Sequence, residues 1–171
     1  KTFLTLSLIF ATLISFASKP HIVDVRVNPN ASTIKWIGSK LTSSHEGNVV
    51  IQKGVLAINH GTLVGGQISI DMNSITCTDI ESPKKNKYLV DHLKNEDFFN
   101  TEIFPLALIK ITKAVRGKGN MYNIIADLTI KGITHPIVFD AEVNINGENF
   151  LAKAKIIIDR TKWDVKYKSS S

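Results

Sequence analysis

From residue 21 onward, apolar and polar positions alternate with a period of two almost without interruption. Successive side chains of a strand point to opposite faces, so this period marks half-buried β-structure. Val23, Val25 and Val27 alternate with Asp24 and Arg26, Asn28-Pro29-Asn30 supplies a turn, and a second strand begins at Ile34. Residues 43–47 read as a polar break. A third run, from Val49 through Lys53-Gly54 to Ile58, ends at the turn Asn59-His60-Gly61. Gly65-Gly66 marks a bend or bulge inside the next strand, where Ile68, Ile70 and Met72 alternate with Gln67, Ser69 and Asp71. Four long strands follow, over residues 106–115, 121–130, 135–146 and 149–159. Gly117-Lys118-Gly119-Asn120, Lys131-Gly132 and Asn146-Gly147-Glu148 provide the hairpin connections.

One stretch breaks the pattern. Leu89, Val90 and Leu93 fall at helical spacing, which predicts a helix of two turns over residues 87–94. Pro105 then bars Phe104 from helix and starts an extended segment. Many strands joined by short turns indicate an all-β chain, a sandwich or barrel, with one short helix. A length of 171 residues with no internal repeat or linker suggests one domain, large enough to hold a core without disulfides or metals.

The late strands each show one apolar face. These faces carry Ala107, Ile109 and Ile111; Tyr122, Ile124, Ala126, Leu128 and Ile130; Ile137, Phe139, Ala141, Val143 and Ile145; and Ala152, Ala154, Ile156 and Ile158. Asn123, Asp127, Asp140, Glu142, Asn144, Lys153 and Lys155 occupy the opposite faces and suit water. Alanines at similar depth on neighbouring strands would leave a dry void, and an empty one is costly. Two fillings are open: a long apolar ligand, or rings from Trp36, Phe98, Phe99 and Phe150.

The first seventeen residues differ from the rest. Lys1 precedes an apolar run that ends in Ser15-Phe16-Ala17, the order of a secretory signal peptide cleaved after Ala17. The run is shorter than the roughly 20 residues needed to span a bilayer. A mature domain of residues 18–171, periplasmic or secreted, is therefore expected. The single cysteine, Cys77, cannot pair within the chain and reads as a half-buried inert thiol.

The formal net charge is +6, with its densest knot at Lys84-Lys85-Asn86-Lys87. Aromatic residues do not alternate with these lysines as a base-stacking surface requires, so nucleic acid is not an expected partner. Transient contact with an anionic membrane surface fits the charge better, and a homodimer stays open. The five histidines, His21, His45, His60, His92 and His135, lie on separate elements without paired metal-ligand spacing. Asp71, Asp97, Asp127 and Asp159 form no evident acid–base pair, and neither a nucleophile elbow nor a phosphate loop occurs. No metal, no cofactor and no enzymatic activity are expected.

Several segments taken together resemble the YceI-like family. They are Trp36-Ile37-Gly38-Ser39-Lys40 with His45-Glu46-Gly47, Gly65-Gly66 with residues 70–75 and Asp79, and residues 92–99 followed by Phe104-Pro105. Residues 127–137 and the closing run from Asp159 to Tyr167 complete the set, which covers about residues 21–171. The resemblance implies an extended, lipocalin-like antiparallel β-barrel of about eight strands with a helix near one end. It also implies a periplasmic protein that holds a long isoprenoid or acyl lipid in its lumen as carrier, store or scavenger. Family members continue past the Tyr167 region with a final strand, so a C-terminally truncated sequence is expected here.

On that reading the lumen is lined by Trp36, Leu89, Leu93, Phe98, Phe99, Ala107, Ile109, Tyr122, Ile124, Ala126, Phe139, Ala141, Ala152, Ala154 and Ile156. Lys40, His45, His92 and Lys94 would meet a head group at the mouth. The alternative is a non-catalytic stress-response or interaction barrel without a dedicated ligand.

Overall fold

Two tight turns set the frame of the sheet. His60-Gly61 and Lys131-Gly132 both have positive φ at their two central positions, with φ of 47° and 73° in the first and 51° and 73° in the second. That is the two-residue hairpin geometry whose twist matches the strands it joins. The computed structural model describes residues 21–40, 43–146 and 149–167. The expected signal segment lies outside them.

The strands are β1 (Ile22–Arg26), β2 (Ile34–Lys40), β3 (Ser43–Asn59), β4 (Thr62–Asp71), β5 (Leu106–Arg116), β6 (Met121–Ile130), β7 (Ile133–Asn146) and β8 (Asn149–Ala154). A single helix, α1 (Pro83–Lys94), sits between β4 and β5. The sheet runs in the order β1-β3-β4-β5-β6-β7-β8, and β2 also pairs with β3. β1 pairs with residues 55–59 of β3 and β2 with residues 43–49, so the two lie end to end along one long strand. Every pairing is antiparallel, and the sheet curls into a half-barrel.

Three boundaries differ most from the sequence-based expectation. Residues 43–47 belong to β3 and form no break, because β2 pairs with them along their whole length. Helix α1 begins at Pro83, a turn earlier than expected, with Ser82 at the N-cap position and Pro83 in the first turn. Proline is preorganised there and its missing N–H is not needed. The polar run Lys84-Lys85-Asn86-Lys87 had masked this start. β8 ends at Ala154 and does not reach residue 159. It pairs with residues 141–146 of β7, which leaves the first half of β7 bonded to β6 alone. Pro136, with no N–H to donate, suits such an open edge.

The bulge expected near Gly65-Gly66 is present. Ala57 faces Gly65 but Ile58 faces Leu63, so Val64 is the extra residue. Gly66 has a φ of 153°, and a Cβ there would lie 2.6 Å from the Val55 carbonyl oxygen.

Two apolar clusters form the core. The first joins Leu56, Ile58 and Leu63 of β3 and β4 to Tyr122, Ile124, Ala126, Ala141 and Val143 of β6 and β7. The second joins Val49, Ile70, Met72, Ala107, Leu128 and Ile130 to Trp163, which comes from the segment after β8. The Trp163 ring is 2% exposed, and its Nε1 donates to the Leu128 carbonyl at 3.0 Å. Trp163 thus fastens the C-terminal segment to the sheet. Trp163→Ala is expected to lower stability by about 4 kcal/mol through lost burial and the cavity left behind, measured as a shift in the urea unfolding midpoint.

Candidate functional site

Cross-strand partners share a face of a sheet, so the registers fix which residues look inward together. Ala107 faces Ile70 and Ile109 faces Ile68. Ala126 faces Ile111 on one side and Ile137 on the other. Ile124 faces Phe139, and Tyr122 faces Ala141. Ala141 in turn faces Ala154, and Val143 faces Ala152. The apolar residues chosen from the late strands therefore do share one concave face.

This face is not uniformly hollow. Ala126 has 0% of its surface exposed and Ile124 1%, with Ala107, Tyr122 and Ala141 also buried. A residue with no accessible surface borders no space that admits a water molecule, so the void expected at Ala126 is filled. Ala126 lies in one buried cluster with Leu56, Ile58, Leu63, Tyr122, Ile124, Ala141 and Val143. Phe139 and Phe150 pack against the cluster's margin, and among the described residues Trp36 and Phe98 are not part of it.

Toward β8 the face opens. Ala152 and Ala154 are exposed although they continue the face of buried Val143 and Ala141. Ile156, just past β8, is half-buried. Beside it, a cleft of 310 Å³ separates the open edge of β7 from the segment after β8. Ile137, Val138, Ile157, Ile158 and Trp163 give it apolar walls, with His135, Asp159 and Lys162 beside them. His135 Nε2 lies 3.0 Å from the Lys162 carbonyl, which fixes that nitrogen as a donor.

The residues expected to cap the lumen converge at the end of α1, but on each other. The His92 ring centroid lies 4.4 Å from that of Tyr167 and 5.1 Å from that of Phe98. The Arg160 guanidinium sits 5.4 Å above Phe98 and donates to the carbonyls of Val165 and Tyr167. His92 Nε2 is buried without a hydrogen bond, with the Asp97 carboxylate 3.8 Å away. Phe99 packs instead against the second core cluster. Leu93 is buried and Leu89 half-buried on α1. Arg160 and Tyr167 were absent from the sequence-derived set. Their signal was the Asp159-to-Tyr167 run, in which the Asp159 carboxylate accepts from Thr161 and starts the turn that carries Arg160.

The head-group candidates among the described residues, His45, His92 and Lys94, are not brought together. His45 Nδ1 meets the Asp79 carboxylate at 2.8 Å, and the other carboxylate oxygen accepts from the Glu46 N–H and the Cys77 thiol. This latch holds residues 76–79 along the start of β3, where Thr76 N–H donates to Asn48 and Thr78 N–H to Glu46. Gly47 leaves the room this requires, since a Cβ there would lie 1.8 Å from the Thr76 carbonyl oxygen. Trp36 serves the same latch by donating from Nε1 to that carbonyl at 2.9 Å. His92 stands in the ring cluster, and Lys94 lies half-buried at the last turn of α1. The side chain of Lys40 lies outside the described residues.

The electrostatics follow this geometry. The Asp79 carboxyl is held well below the usual carboxylate range, chiefly by the Glu46 N–H and then by His45 and Cys77. Burial, then the hydrogen bond to Asp79, pushes the Cys77 thiol up, which disfavours the thiolate a nucleophile needs. Among the described residues, no three His, Cys, Asp or Glu side chains converge as metal ligands. No helix among them is long and apolar enough to cross a membrane.

The model of the YceI-like domain matches residues 26–171. The UPF0312 protein of Photorhabdus laumondii subsp. laumondii is 38% identical over 58 residues, 34% of this chain and 30% of that protein. Protein YceI of Escherichia coli O157:H7 is 26% identical over 96 residues, 56% of this chain and 47% of that protein. The matched region thus spans about a third to a half of the relatives' length. The crystal structure of Burkholderia cenocepacia BcnA superimposes with a TM-score of 0.69 at 21% identity, over 84% of this chain and 89% of that one, a likeness of fold.

The latch makes a pH prediction. A carboxyl whose folded pKa is depressed contributes stability above its unfolded pKa of about 3.9 and loses it as pH falls toward the folded value. Asp79→Asn should therefore lower stability at neutral pH and flatten the acid limb below about pH 4 relative to wild type. Urea midpoints measured at pH 7 and across the acid range check both effects.

Proposed function

We propose that this chain, which belongs to the YceI-like family, holds one long apolar ligand of isoprenoid or fatty-acyl type against the concave face of its half-barrel. One observation carries the reading. The apolar inner face continues past the packed core onto β8, where Ala152 and Ala154 stay exposed beside buried Val143 and Ala141. Small side chains there offer an apolar floor with room above it. Phe139, Ala141, Ala152, Ala154 and Ile156 are the contacts proposed, with Phe150 at the margin. Ala126, Ile124, Tyr122 and Ala107 support this floor from within the core.

Affinity would come from apolar burial, about 0.8 kcal/mol per CH₂. Ordering and association costs reduce the sum. The chemistry is binding and not turnover, since the groups best placed to react, His45, Cys77 and Asp79, are committed to one another. Carriage outside the cytoplasm is part of the same proposal and rests on the leading apolar segment.

The test separates floor from core. Native mass spectrometry of the purified protein should show a lipid adduct that Ala152→Trp/Ala154→Trp removes. An adduct of unchanged abundance in that variant would sink the proposed floor. Ala126→Leu should instead cost about 1–3 kcal/mol by overpacking, whereas Ala154→Leu should leave the unfolding midpoint near the wild-type value.

A further inference from the structure

A second opening lies between α1 and the latched segment before it. This open groove has a volume of 570 Å³, within the usual range of about 300–1,000 Å³ for small-molecule sites. Ile75, Cys77, Ile80 and Val90 give it apolar walls. Lys87 and Lys94 stand two helical turns apart on one rim, about 10 Å by helical rise.

We propose that this groove is a binding site for a single-chain anionic amphiphile, with its carboxylate or phosphate at Lys94 and its alkyl chain lying along α1 toward Pro83. The site is separate from the concave face of the half-barrel, and neither depends on the other.

Three features support the assignment. The walls are built before any ligand arrives. Residues 76–79 are bonded to β3, and Asn86 Nδ2 donates to the carbonyls of Cys77 at 2.9 Å and Ile80 at 3.1 Å, clamping helix to segment. A preformed groove avoids ordering costs on binding. The rim charge is also available. Lys94 makes no ion pair among the described residues. Lys87 pairs with Asp91 on the exposed surface, where such pairs are worth little and exchange readily. Finally, the polarity is arranged lengthwise. Glu81 lines the groove near the start of α1 and Lys94 near its end, so an anion is favoured at the Lys94 end and an alkyl chain between.

Cys77, the single cysteine of the chain, is 8% exposed in the groove and reports on its occupancy. The experiment measures alkylation of Cys77 by iodoacetamide in the 171-residue protein, with dodecanoate below its micelle concentration. Dodecanoate should slow alkylation about tenfold, while acetate and dodecyltrimethylammonium should leave it unchanged. Lys94→Glu and the groove-filling Val90→Trp should each abolish protection relative to their own additive-free rates. Ala154→Trp, on the concave face, should retain it. Protection by the cationic amphiphile equal to that by dodecanoate, or none by either, overturns the proposal. Loss of protection in Ala154→Trp overturns it as well, because dodecanoate would then sit on the concave face. Dodecyl phosphate, an anion with the same chain length, should protect Cys77 as dodecanoate does.

Discussion

The structure depends on one constraint: the curl of the sheet that gathers Leu56, Ile58 and Leu63 into one buried cluster with Ala126 and Ala141. A twisted antiparallel sheet with one apolar face must bury that face, and here it does so against itself. Ala126 and Ala141 are buried members of that cluster, so alanine there belongs to packed core and not to emptiness. The same residue type has the opposite consequence one strand further on. At Ala152 and Ala154 no opposing strand lies among the described residues, and the small side chains leave accessible apolar surface. Packing partner, and not residue type, decides whether an alanine closes a core or opens a trough.

The C-terminal segment completes the second cluster by a different device. Trp163 fills the space beside Ala107, Leu128 and Ile130, and Lys131 Nζ donates to the Asp164 carbonyl at 3.0 Å. Arg160 then turns the chain by donating to two carbonyls beyond itself, while its guanidinium covers Phe98. A planar, always-charged side chain suits this role, because it can satisfy carbonyls at one edge and lie over a ring with its face. The segment reaches the ring cluster of His92, Phe98 and Tyr167 and closes that end of the molecule with its own side chains.

Much of this was legible in the chain. Period-two patterning located the strands, and the span of β6 coincided with its pattern because clear turns bound it on both sides. The inward faces of β5 to β8 also followed from alternation. The misplaced ends had specific causes. The first turn of α1 is polar and carries lysines, so hydrophobic periodicity begins a turn after the helix does. β8 stops at Ala154 although Ile156 and Ile158 continue the alternation, and Ile157 between them removes the apolar–polar contrast. Depth was beyond reach altogether. Ala126 and Ala154 are indistinguishable in a pattern of faces, and it takes the closing strand pair to make one core and the other surface.

The segments that carry the family resemblance and the surface proposed to hold a ligand are almost disjoint. Trp36, His45, Gly47 and Asp79 fasten an extended segment to β3, and Asp159, Arg160 and Trp163 fasten the C-terminal turn. These positions need a particular donor, acceptor or missing Cβ, so their residue types are distinctive. The concave floor needs only apolar groups of limited volume, a requirement that alanine, valine and isoleucine meet in many combinations. Fold membership is therefore written in the fasteners, while the ligand is written in volumes. Volumes depend on the register and curl that the fasteners fix, so a single altered fastener would reshape the floor without touching any residue on it.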